Sequence, residues 1–149
     1  MSSDVPAPVS FRTTRRIEFA DTDMAGIVHF ANFFRYMEAA EHAYLRGCGL
    51  SVFHAWQGET ITFPRVHASC DYERPARFED ILDVEVRIDR LGRSSVRFAF
   101  TFFKRDEVLA RGQITAVLCR VKDDNALEPI PIPGPIRELL ERGPGPGPV

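Results

Sequence analysis

The chain has 149 residues, 44% of them hydrophobic, and a formal net charge of −2. That length points to one domain around one core, and the balanced charge leaves no global basic footprint for nucleic acid or an anionic membrane. No apolar run approaches the ~20 residues of a membrane-spanning helix. The first residues, Met-Ser-Ser-Asp-Val-Pro-Ala-Pro, have neither the basic nor the apolar region of a secretory signal. Cys48, Cys70 and Cys119 are far apart, odd in number and form no CxxC, so no disulfide framework is expected and a reduced cytoplasm is the simplest compartment. Twelve Phe against three Tyr point to a large apolar interior, an apolar ligand tunnel or a subunit interface.

Residues 1–10 are polar and Pro-containing and read as a flexible N-terminus. From Phe11 the pattern alternates, with Phe11, Thr13, Arg15, Ile17 and Phe19 on one side, which predicts a strand. Asp21-Thr22-Asp23 and Gly26 break it into a loop. A helix is predicted from close to Ala31 to near Arg46. Phe33, Met37, Ala40 and Tyr44 form a stripe at helical spacing, and Phe34, Ala39, Ala43 and Leu45 widen it. A helix so apolar around its girth is wrapped by other structure rather than lying on a surface. Gly47 and Gly49 bracket its end.

Residues 51–64 have no clean period, and a short helical turn followed by a loop closing at Pro64 is expected. Four alternating segments then predict strands: 66–73, 82–89, 96–102 and about 109–121, arranged as an antiparallel meander. Residues 132–142 predict a short helix with Pro133 and Pro135 near its start, and 143–149 (GPGPGPV) read as a tail. Residues 11–142 are therefore a single α+β domain, one long buried helix against a five-stranded antiparallel sheet. Five strands cover such a helix only by curling around it. The long edges left over favour pairing of two protomers edge to edge.

The stretch RIEFADTDMAGIVHFANFFRYMEAA resembles the hotdog-fold acyl-CoA thioesterases of the 4-hydroxybenzoyl-CoA thioesterase and YbgC-like group. Their pattern is an apolar strand, then D-x-D-x-x-G-[IV]-V, an aromatic, and [PA]-N-[YF] opening the central helix. Here it runs ungapped from Asp21 to Phe33. The resemblance implies a hotdog fold, dimers that often pair into tetramers, and an acyl-CoA substrate. It places the catalytic carboxylate on Asp23, as nucleophile or general base, and the oxyanion donor on the backbone N–H of Phe30. Gly26, His29, Asn32, Phe33 and Glu38 fall on substrate-binding positions. Arg93, Ser94 and Ser95 fall on the turn that binds the phosphates of coenzyme A. His29 stands where the family often has an aromatic, which bears on acyl specificity.

The chemistry suits these residues. A thioester loses a good leaving group, its thiol pKa being about 8.5, so it needs a nucleophile and an oxyanion donor more than acid assistance. A backbone N–H aimed at the developing charge is worth roughly 3 kcal/mol. Asp23 alone also fits a turn former, Asp21 reads as one, and Asn32 also fits a helix cap. His42, His54 and His67 have no metal-ligand spacing, so neither metal nor other cofactor is implied. Two alternatives stay open: a hotdog hydratase or dehydratase using Asp23 with His29, and a non-catalytic acyl-CoA-binding protein. The acyl group itself is not fixed by the sequence.

Overall fold

Alternation of apolar and polar side chains builds the sheet on which everything else rests. The computed structural model describes residues 10–145. In chain order these form β1 (Ser10–Arg16), a 3₁₀ turn (Phe19–Asp21), α1 (Asn32–Gly47), β2 (Phe53–Trp56), β3 (Glu59–Thr62), β4 (Arg65–Tyr72), β5 (Ile81–Leu91), β6 (Ser95–Lys104), β7 (Glu107–Val117), β8 (Cys119–Val121), β9 (Leu127–Pro129) and α2 (Gly134–Arg142). The main sheet is antiparallel in the order β1-β5-β6-β7-β4, and α1 packs on its inner face.

Three rows of side chains cross that face. Val84, Phe102 and Ala110 stand opposite one another in the first, Val86, Phe100 and Gly112 in the second, and Ile88, Phe98 and Ile114 in the third. In the first two rows a large Phe on β6 thus faces a small residue on β7, Ala110 or Gly112, and the space released is filled by the helix. Met37 occupies the position that a side chain at Gly112 would take. Phe33, Tyr36, Met37, Ala40 and Tyr44 of α1 are all buried in this core. Close packing of this kind fixes the height of the helix above the sheet, and with it the start of α1.

The five strands and the wrapped helix match expectation, with four differences. Residues 53–62 are a hairpin, not a helical turn. Gln57 and Gly58 both have positive φ (48° and 79°), the two-residue turn that suits twisted strands. The last long segment is two strands: after Val117 the buried Leu118 turns its N–H to the Ser94 carbonyl at 2.8 Å, and β8 joins a second, four-stranded sheet, β2-β3-β8-β9. The meander holds only for β5, β6 and β7, because β4 pairs with β7 and not with β5. Finally β1 stops at Arg16. Glu18 and Asp21 cap each other's backbone N–H groups, which draws the chain into the 3₁₀ turn and leaves Phe19 76% exposed.

Two features of α1 and β4 stand out. Glu41, which interrupts the apolar run of the helix in sequence, is completely buried and pairs with Arg65 at the start of β4. β4 itself is an edge strand exposed on both faces, Val66 being 63% exposed. α2 closes the far end of the core through Ile136 and Leu140. The Gly143–Gly145 segment lies against the end of α1, where the Gly145 N–H meets the Gly47 carbonyl at 3.1 Å. The expected flexible N-terminus and the rest of the expected tail, 146–149, fall outside the described residues, except for Ser10, which opens β1. No described helix is long and apolar enough to cross a membrane.

Candidate active site

The loop between β1 and α1 is shaped by its own carboxylates. Thr22 and Val28 form a bridge, and the Asp23 N–H donates to the Ile27 carbonyl at 2.8 Å. Gly26, at φ +78°, returns its N–H to the Asp23 carbonyl at 3.0 Å, a backbone conformation that glycine adopts without a steric cost. Asp23 Oδ1 accepts the Ala25 N–H at 2.8 Å, which orients the carboxylate and leaves its second oxygen open. The Asp21 carboxylate accepts the Glu18 N–H at 2.9 Å, so it acts as the turn former that its sequence position suggests.

The Asp21 carbonyl ties this loop to the helix. It accepts the His29 N–H at 2.9 Å and the side-chain N–H of Asn32 at 2.8 Å. Asn32 is thus a strut from the first turn of α1 back to the loop, not a helix cap; the position before it, Ala31, has no capping side chain. One residue on, the His29 carbonyl accepts the Asn32 N–H at 2.9 Å. A trans peptide holds C=O and N–H in opposite directions. The other end of that unit, the Phe30 N–H, therefore points away from the helix, and among the described residues it has no hydrogen-bond partner. It adds one more free donor to the positive end of the α1 dipole.

Asp23 and Phe30 share a cavity of about 440 Å³. Ile27 and Val28 of the loop, Phe33 of α1, Tyr72 at the end of β4 and residues 73–76 after it complete its lining. The Val28 N–H staples the two loops together at the Ala76 carbonyl, 2.8 Å away. Ionic groups on the rim are paired or pinned: Glu73 with Arg111 at 3.0 Å, and Arg74 onto the Val108 carbonyl at 3.1 Å. The walls are otherwise apolar and aromatic. The lining thus combines an acidic residue, a residue whose N–H is unused and a surface suited to a flat apolar group.

Not every sequence-predicted residue gathers here. Asp23, Phe30 and Phe33 line the cavity, and Gly26 shapes its loop. His29 and Asn32 lie outside the lining and support it. Glu38 is on an exposed part of α1, outside the cavity of its own chain. Arg93, Ser94 and Ser95 also lie outside it: the Arg93 and Ser94 carbonyls accept the Ile132 and Leu118 N–H groups at 2.8 Å each, and Arg137 of α2 holds Gly92 at 2.7 Å. Sequence reasoning missed Tyr72, which reads there as one more residue of an alternating strand. Among the described residues no cluster of His, Cys, Asp or Glu is arranged to hold a metal ion.

Comparison with known proteins gives a consistent answer. The model of a family described as the thioesterase superfamily matches residues 25–111. A 1,4-dihydroxy-2-naphthoyl-CoA hydrolase from Synechococcus elongatus is 32% identical over 123 residues, 81% of this chain and 89% of that protein. A solved 1,4-dihydroxy-2-naphthoyl-CoA thioesterase from Synechocystis superimposes with a TM-score of 0.76 at 27% identity, covering 89% of this chain and 96% of that one. A solved gentisyl-coenzyme A thioesterase gives 0.74 at 27% identity, covering 87% and 99% of the two chains.

Proposed function

This chain belongs to the thioesterase superfamily, and from that premise we propose that it hydrolyses an acyl-CoA thioester to a carboxylic acid and free coenzyme A. The observation that carries the reading is that Asp23 and Phe30, whose N–H is unused, line one cavity of about 440 Å³. The thioester carbonyl oxygen takes the Phe30 N–H, and the open Asp23 oxygen faces the carbonyl carbon. Two routes fit. Asp23 attacks the carbon, the C–S bond breaks to release thiolate, and water then opens the acyl anhydride. Alternatively Asp23 takes a proton from water as it attacks, and returns that proton to the departing thiolate. In both, the N–H stabilises charge that exists only during reaction.

The acyl group lies against Phe30, Phe33 and Tyr72, walls that suit a flat aromatic acid. The named relatives act on hydroxylated aromatic acyl-CoAs, which supports the same substrate class here. Arg93, Ser94 and Ser95 lie away from the cavity of their own chain. In this reading they meet the coenzyme A phosphates bound at a second copy. Glu38 faces the acyl pocket of that copy. The exposed edge of β4 supports pairing of two copies along that strand, giving a homodimer and, through a further face, a dimer of dimers. A hydratase using Asp23 with His29 is disfavoured, because His29 lies outside the lining of the cavity that holds Asp23.

The test is release of thiol, followed with a thiol reagent, across aromatic, short, medium and long acyl-CoAs. The expected result is turnover that is fastest with aromatic acyl groups. Absence of thiol release with every acyl-CoA overturns the hydrolase reading, and tight acyl-CoA binding without turnover replaces it with a binding protein.

A further inference from the structure

The peptide unit that follows the Phe30 N–H, joining Phe30 to Ala31, is gripped at both ends by side chains. Its carbonyl accepts the Tyr72 O–H at 2.8 Å, and its N–H donates to His29 Nδ1 at 3.2 Å. Both grips are themselves braced. The His29 ring stacks on the Phe30 ring at 4.7 Å and 24°. The Tyr72 ring stands edge-on to Phe33 at 5.3 Å, and Phe33 stands edge-on to Phe102 at 5.2 Å. Partial burial, followed by the neighbouring Cys70, pushes the Tyr72 phenol up to about 12, so it stays a donor at neutral pH.

This grip has a geometric consequence. The direction of the Phe30 N–H is set by its own peptide plane, whose His29 carbonyl accepts the Asn32 N–H, and by the two planes that flank it. The plane before it is fixed by the His29 N–H on Asp21, and the plane after it by Tyr72 and His29. Helix α1 alone reaches the Phe30 carbonyl only through a long contact, the Phe33 N–H at 3.4 Å. Tyr72 comes from β4, 42 residues further along the chain, and supplies the short one.

We propose that Tyr72 is a positioning residue for thioester hydrolysis: through the Phe30 carbonyl its hydroxyl aims the Phe30 N–H at the oxyanion, with His29 as the opposing jaw of the same clamp. The assignment rests on the hydrolase reading above. It gives Tyr72 a role separate from lining the cavity, because the hydroxyl points into the protein backbone while the ring faces the substrate.

Tyr72→Phe deletes the one oxygen and keeps the ring packing. With the best acyl-CoA of the panel, kcat falls about 10-fold while KM stays within about 2-fold, since an oxyanion donor acts on the transition state and not on the bound ground state. The Phe30 amide resonance of ¹⁵N-labelled Tyr72→Phe protein shifts and broadens, a readout independent of turnover. Tyr72→Phe combined with His29→Ala loses more kcat than the product of the single losses, because both jaws hold one peptide unit. Unchanged kcat in Tyr72→Phe, or a raised KM with unchanged kcat, overturns the proposal. So does an unmoved Phe30 resonance. Failure of the underlying reading shows separately, as absence of thiol release by the wild-type protein.

Discussion

Asn32 and Asp21 are joined across the entrance to α1: the Asn32 side chain donates to the Asp21 carbonyl at 2.8 Å, beside the His29 N–H on the same oxygen. The helix and the carboxylate loop therefore move as one body. Asn32→Ala removes one hydrogen bond worth about 1 kcal/mol, a fall of roughly 2–4 °C in Tm for a chain of this size. Because the loop carries Asp23, the same variant loses thioesterase turnover beyond what its stability loss explains. Thermal melts and initial rates at a temperature well below Tm check both parts.

Asp23→Asn separates charge from shape. The amide oxygen of Asn keeps the acceptor for the Ala25 N–H, so the turn that Asp23 Oδ1 builds persists and Tm is unchanged. Turnover falls by at least about 100-fold, the usual contribution of a positioned base or more. Steady-state kinetics with the preferred acyl-CoA provide the measurement, and parent-like rates remove Asp23 from the chemistry.

Buried Glu41 makes stability depend on pH. Burial pushes its carboxyl up to about 7, against the partial opposition of Arg65. His42 shares Arg65, whose guanidinium lies 3.0 Å from its Nε2, and Glu38 faces both residues; burial lowers the His42 imidazole, which works in the opposite direction with pH but is the smaller of the two shifts. An acid whose folded-state pKa is raised favours folding below its unfolded pKa, and loses that contribution as pH rises through the folded value. The window therefore runs from about 4.5 to about 7, and its full depth is on the order of 3 kcal/mol. Tm decreases from pH 5 to pH 8 in the parent. In Glu41→Gln the decrease is much smaller, which scanning calorimetry across that range tests.

Gly112 sets the closest approach of α1 to the sheet. A Cβ there overlaps Met37 Sδ and comes within 2.9 Å of the Ser69 carbonyl oxygen, a backbone atom that cannot swing aside. Gly112→Ala therefore destabilises the fold by about 1–3 kcal/mol. Placed in a Met37→Ala background, it costs less than it does alone, because the thioether half of the clash is gone. Denaturant midpoints of the four proteins give the coupling directly.

Local signals in the sequence carried far. The ungapped motif from Asp21 to Phe33 located the loop, the helix start and the residues that share the cavity, and period-two alternation located all five strands of the main sheet. Long-range pairing was not legible. Nothing near Tyr72 announces that its hydroxyl meets Phe30, and nothing near β4 says that it will pair with β7. The Gln57-Gly58 turn escaped notice because Gln is an unusual first residue for a turn with two positive φ angles. Nothing near Glu41 announces its burial, because its partner, Arg65, lies on another element.

α2 is the last described element of the chain, yet it seals the floor of the core. Its Leu140 carbonyl accepts the buried Tyr44 hydroxyl at 3.1 Å, and its Arg137 braces the β5–β6 turn. During synthesis every strand and the central helix emerge before this seal exists. Until residues 134–142 arrive, a nascent chain exposes the apolar patch that Ile136 and Leu140 later cover, a surface of the kind that chaperones recognise.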